Sequence, residues 1–135
     1  MQDRYLFKAK RIDNGEWIQG YYVRGLDVFT NCEEIHMIFE PNTIFYSSGE
    51  TDGWYRVDPS TICQCTGLKD KNGKLIFEND IMEGRIDDLF PEDISRFKVA
   101  WNGNGWVAVQ AGCIDREYIS EFEIENYEVV GNVNP

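Results

Sequence analysis

His36 is the only histidine in the chain, so a site built on several imidazoles is excluded and a Cys-His nucleophile is the one histidine-based arrangement left to weigh. It stands between Ile35 and Met37 in a strand-like run, where an ordinary structural histidine is expected. Cys63 and Cys65 are spaced C-x-C and would share one face of a strand. Zinc asks for a C-x2-C type knuckle and a second pair at a matching spacing, and the sequence has neither. The serines lack a G-x-S-x-G elbow and no G-x-x-x-x-G-K-[ST] loop is present to cradle phosphates, which removes the hydrolase and kinase readings. The carboxylate pairs Asp87-Asp88 and Glu123-Glu125 have the residue types for acid–base work or for a hard cation, but both lie in acidic surroundings that read as solvated surface. The expectation is a protein without catalytic residues, metal or cofactor.

Charge narrows the partners. Lys and Arg number 13 against 24 Asp and Glu, for a formal net charge of -11, a field that repels phosphate backbones and anionic membrane surfaces. The nearest approach to a basic patch is Lys8, Lys10 and Arg11, diluted by Asp3 and Asp13. Negative charge concentrates near the C-terminus, where Asp115, Glu117, Glu121, Glu123, Glu125 and Glu128 face one cation, Arg116. Such a ribbon could meet a basic partner; alternating glutamates on the wet face of a sheet explain it with fewer assumptions. Four cysteines, Cys32, Cys63, Cys65 and Cys113, would suggest disulfides in a short secreted chain. The opening Met1-Gln2-Asp3-Arg4-Tyr5 lacks the apolar core of a signal peptide and no apolar run approaches the length of a spanning helix. The expected location is therefore the cytoplasm, with the thiols acting as small hydrophobes.

The elements that must carry these residues read as short strands. Tyr5, Phe7, Ala9 and Ile12 alternate with polar residues, Asp13-Asn14-Gly15-Glu16 breaks the run, and Trp17-Ile18-Gln19-Gly20-Tyr21-Tyr22-Val23 resumes it. Asn-Gly between two such runs predicts a hairpin, because both residues accept positive φ. Runs at 35–39 and 43–46 read as two strands separated by Pro41-Asn42, followed by a polar turn cluster over 47–53 and by Trp54-Tyr55-Arg56-Val57. Pro59 holds Asp58 extended and leaves room for one helical turn. Asn72-Gly73 predicts a second hairpin, with a return run over 75–82. A third has arms at 97–101 and 106–109, with Trp101 and Trp106 flanking its turn, where packing as a cross-strand pair is favoured over standing exposed as an anchor for a partner. Residues 84–95 read as an exposed acidic loop, and 127–133 as a closing strand. The pattern predicts a mostly β, antiparallel sandwich or small barrel. A subdivision near residues 53–58 would give an N-terminal sheet and a C-terminal barrel sharing a core.

The stretch Val57-Asp58-Pro59-Ser60-Thr61-Ile62-Cys63-Gln64-Cys65-Thr66-Gly67-Leu68-Lys69-Asp70-Lys71-Asn72-Gly73-Lys74-Leu75-Ile76-Phe77-Glu78-Asn79-Asp80-Ile81 resembles the YopX family of small phage and prophage proteins. Phe7-Lys8-Ala9-Lys10 through Gly20 resembles that family's opening hairpin, and Tyr127-Glu128-Val129-Val130-Gly131-Asn132-Val133 its closing strand, so the likeness spans a single domain over 1–135. Asn79 stands where Gly would be expected, and Asn also reaches positive φ. The resemblance implies a phage or prophage origin, expression in the bacterial cytoplasm, and a part similar to an SH3-like barrel. It carries over no catalytic residue. Within the motif the turn residues have structural jobs, while Lys69, Asp70, Lys71 and Lys74 could form a charged tip that meets a partner.

Three functional readings follow. The first is a non-enzymatic protein-interaction module acting on a phage or host protein, with self-association by edge pairing or sheet stacking. The second is an acidic charge mimic that inhibits a host nucleic-acid-binding protein, carried by Asp115, Glu117, Glu121, Glu123, Glu125 and Glu128. The third is a small enzyme or nucleic-acid-binding barrel, which requires a polar pocket or a basic groove.

Overall fold

The structure, a computed structural model, describes residues 5–27, 29, 31–48, 51–85, 94–110, 117–119 and 124–135. Alternation and turn chemistry dominate it. Among the described residues the strands are β1 (Phe7–Lys10), β2 (Trp17–Asp27), β3 (Glu33–Phe45), β4 (Thr51–Arg56), β5 (Cys63–Lys69), β6 (Leu75–Phe77), β7 (Asp80–Arg85), β8 (Ile94–Trp101), β9 (Trp106–Val109), β10 (Glu117–Tyr118) and β11 (Tyr127–Asn132). They form two antiparallel sheets, in the orders β4-β3-β2-β1-β5-β6 and β10-β9-β8-β7-β11. Single 3-10 turns occupy Pro59–Thr61 and Ile124–Asn126. No helix of the described residues is long and apolar enough to cross a membrane. By contact density the chain divides into units at residues 5–64 and 65–135.

In the 5–64 unit, even positions of β2 and β3 turn inward. Ile18 pairs with Ala9, and Tyr22 with Ile38; Ala9, Ile18, Ile38 and Val57 form the buried cluster, flanked by Phe7, Tyr22, Tyr55 and Ile62. Burying a side chain such as Ile38 or Val57 contributes about 1.5–3 kcal/mol. The strands curl far enough for the end of β4 to meet the end of β1: Arg11 bridges Val57, and the Ile12 N–H donates to the Arg56 carbonyl at 3.0 Å. Gly20 is required where β2 crosses β3, because a Cβ there would lie 2.1 Å from the Phe39 carbonyl oxygen.

The 65–135 unit is organised by its five-stranded sheet, with Ile76, Met82, Phe97, Val99, Ala108, Ile119 and Tyr127 as its buried cluster. The rings of Phe97 and Tyr127 meet tilted at 5.3 Å. Asp70 is 6% exposed and fastens the turn of the sequence motif to β11. Its Oδ1 accepts the N–H groups of Asn72 (2.8 Å) and Lys74 (2.9 Å), and its Oδ2 accepts that of Val129 (2.9 Å). Burial pushes this carboxyl up, but the N–H groups of Val129, Lys74 and Asn72 outweigh it and hold the pKa below the ordinary aspartate value. Asp80, fully buried, accepts from the Phe77 N–H and from the Asn132 amide.

Several expectations are corrected. The segments at 35–39 and 43–46 belong to one strand, β3, because the register slip between Phe39 and Ile44 absorbs Pro41-Asn42 as a bulge rather than a break. In both Asn-Gly turns only the glycine has positive φ (Gly15 at 72°, Gly73 at 78°). These are longer hairpin loops closed by a glycine, with Asp70 N–H bonded to the Lys74 carbonyl and Arg11 N–H to that of Glu16. The run over 75–82 breaks into β6 and β7 at Asn79, whose φ of 67° turns the chain. The small barrel is not closed: the second sheet is open, with β10 and β11 as its edges among the described residues. The acidic loop expected over 84–95 shrinks from both ends, since β7 runs to Arg85 and β8 begins at Ile94, and 86–93 lie outside the described residues. Trp101 and Trp106 form the expected cross-strand pair, edge to face at 5.1 Å.

Candidate functional site

The inward turn of even residues in β2 and β3 forces the odd ones onto the opposite face, and the register decides what that face displays. Tyr21 lies opposite Phe39, and Phe39 opposite Trp54, so three adjacent strands contribute one aromatic row. The next row on the same face is Val23, Met37 and Arg56. The Phe39 and Trp54 rings stack at 6.3 Å. Farther along β2, the ammonium groups of Lys8 and Lys10 sit over the Trp17 ring at 5.0 and 5.6 Å. Trp17, Val23 and Trp54 are 36%, 41% and 38% exposed, a concentration of large apolar side chains that a sheet needs only if something covers it.

The β3 bulge shapes a hollow in this face. Thr43 Oγ1 donates to the Glu40 carbonyl at 2.6 Å and lies 3.2 Å from the Gly53 carbonyl, which holds the bulge folded. Gly53, at φ 99°, lets β4 follow the bend, since a Cβ there would meet the Thr43 Cα at 3.1 Å. The resulting hollow, of about 390 Å³, is lined by Tyr21, Val23, Phe39, Glu40, Pro41 and Thr43. It is mostly apolar, open, and sized for one large side chain of a partner.

Of the acidic C-terminal residues singled out from the sequence, Glu117 and Glu128 are the two whose side chains fall within the described residues. Asp115, Glu121 and Glu123 lie outside the described residues, as do Asp87, Asp88, Cys113 and Arg116. Glu117 is exposed on β10. Glu125 falls in the 3-10 turn before β11, with its side chain also outside the description. Glu128 is on the surface, where it accepts from the Asn72 amide at 3.3 Å and lies 4.0 Å from the Lys71 ammonium. Of the motif's charged tip, Asp70 serves the fold, while Lys71 stays exposed beside Glu128.

His36 is held by its neighbours on the inner face, its Nδ1 2.5 Å from the Tyr22 hydroxyl and its Nε2 3.9 Å from Glu34. Cys63 and Cys65 are buried. The Cys63 thiol donates to the Thr61 carbonyl, and the Cys65 sulfur accepts from the Gly67 N–H. Among the described residues no group of three or more His, Cys, Asp or Glu is placed to hold a metal. The outer face of β2, β3 and β4 was visible in the sequence only as the alternation Trp17, Gln19, Tyr21, Val23. The row it completes with Phe39 and Trp54 depends on cross-strand register.

Comparison with known proteins agrees with the central motif. A family model described as YopX protein matches residues 7–135. No curated protein matches the chain.

Proposed function

We propose, from the premise that the chain belongs to the YopX family, that it is a phage-type, non-enzymatic protein-interaction module working in the bacterial cytoplasm. The observation that carries this reading is the outer face of the N-terminal sheet. Tyr21, Phe39 and Trp54 form one row beside Met37 and Arg56, and Tyr, Trp, Phe, Met and Arg are the residue types enriched at protein interfaces. A hollow within that row supplies the recess into which an anchor residue of a partner inserts. The second sheet supports the SH3-like kinship implied by the sequence resemblance: a meander β7-β8-β9-β10 is followed by a 3-10 turn and by β11, which returns to pair with β7.

The test is recovery of bound protein from host lysate by the tagged chain, washed at low and at high salt, beside the Val23→Glu and Trp54→Ala variants. The expected result is a partner that survives high salt and is lost with both variants. Recovery of the same partner by wild type and variants would move the site elsewhere.

A further inference from the structure

The hollow beside the β3 bulge differs in its chemistry from the rest of the outer face. Tyr21, Val23, Phe39 and Pro41 give it an apolar, partly aromatic wall, and Glu40 is the one residue of its lining that carries charge at neutral pH. Glu40 is half-buried. The other polar groups of the bulge are engaged with each other: the Glu40 carbonyl accepts from Thr43 Oγ1, which also lies 3.2 Å from the Gly53 carbonyl. Among the described residues, the arginine ion pairs of this unit join Arg11 to Asp13 and Arg24 to Glu34, and neither involves Glu40. Arg56 belongs to the next row, beyond Met37, and does not line the hollow.

We infer that the hollow takes an arginine side chain from a partner protein. A wholly apolar anchor would cover the aromatic wall but would take water from the Glu40 carboxylate and give it nothing in return. A short polar side chain would meet the carboxylate and leave the wall bare. Arginine does both, because its aliphatic stem lies along apolar surface while its planar guanidinium stacks on an aromatic ring and offers a carboxylate a fork of N–H donors. The 390 Å³ of the hollow accommodates a side chain of that length. The formal charge of -11 acts in the same direction at long range, favouring approach by a cationic surface. This inference rests on the outer face being a protein-binding surface and names the chemistry of what enters it.

The test is an NMR titration of the isotope-labelled full chain with capped tripeptides that hold arginine, citrulline or norleucine between two glycines. Citrulline keeps the shape of arginine and lacks its charge. The arginine peptide is expected to give saturable shifts of the Tyr21, Val23, Phe39, Glu40 and Thr43 amides, and the citrulline peptide to bind about fivefold more weakly, the size of one partly solvated charge pair. Glu40→Gln keeps the backbone carbonyl that holds Thr43; it brings the arginine peptide down to the citrulline level and leaves citrulline binding unchanged. Glu117→Gln, on β10, alters neither, which separates the hollow from the field of the whole chain. No saturable shift with the arginine peptide, norleucine binding as tightly as arginine, or an unchanged arginine affinity in Glu40→Gln overturns the inference. If any of these is found while Trp54→Ala still abolishes capture of another protein, the occupant is wrong and the binding face stands. If capture also survives in Trp54→Ala, both readings fall.

Discussion

Removing the Asp70 carboxylate strands three backbone donors at once, the N–H groups of Asn72, Lys74 and Val129. A hydrogen bond to a charged group contributes about 1.5–3 kcal/mol, and an orphaned buried donor costs about 1–3 kcal/mol. All three bonds are part-buried, so water takes over some of the lost pairing, and Asp70→Ala is expected to cost about 3–5 kcal/mol. That is a large share of a domain's stability. Asp70→Asn keeps an acceptor for the turn and puts an amide donor before one of the N–H groups, giving a smaller loss. The charge also predicts a pH signature. The folded pKa is depressed, so the stabilisation is complete above the unfolded value, about 3.9, and disappears as pH falls through the lower folded value. Urea unfolding between neutral and strongly acidic pH, followed by circular dichroism, measures both effects. An Asp70→Ala loss under about 1 kcal/mol, or an acid limb unchanged in Asp70→Asn, would refute the clamp.

Other substitutions probe the scaffold. Gly20→Ala drives a methyl into the Phe39 carbonyl and is expected to lower stability by about 3 kcal/mol, with loss of sharp amide signals across β2 and β3 in NMR spectra. Asn79→Gly preserves the turn's backbone bonds to Val99 and Val133 and should shift stability by less than about 0.5 kcal/mol, whereas Asn79→Val, forced to the same positive φ, costs about 1–2 kcal/mol in urea titration. Met82→Ala, at a fully buried position of the 65–135 cluster, opens a cavity costing about 2–5 kcal/mol, measurable as a fall in the unfolding midpoint.

Local patterns in the sequence reported local structure well. Gly15, Gly73 and Gly103 mark turns because positive φ is a property of one residue, and Trp101 meets Trp106 because a short hairpin sets its own register. The motif around Asp70 read correctly as a turn, but its anchor, Val129, is 59 residues away, beyond any local signal. The β3 bulge was hidden for a related reason: Pro41-Asn42 looks like punctuation, and only the pairing with β4 on both sides of it shows a continuous strand. The binding face was least legible. Tyr21, Phe39 and Trp54 come from three separate segments, and a one-residue slip in either pairing would have turned one of them to the other side. Net charge drew attention to the C-terminal glutamates, of which Glu128 meets Lys71 and Asn72 on the surface.

The most direct test is photo-cross-linking in phage-carrying cells, with a photoreactive residue replacing Val23 on the outer face or Glu117 on β10, both exposed. An interaction face on the N-terminal sheet predicts defined covalent adducts, with a second copy or another protein, from position 23 and none from position 117. Adducts from position 117 alone would contradict it and direct attention to the acidic C-terminal stretch.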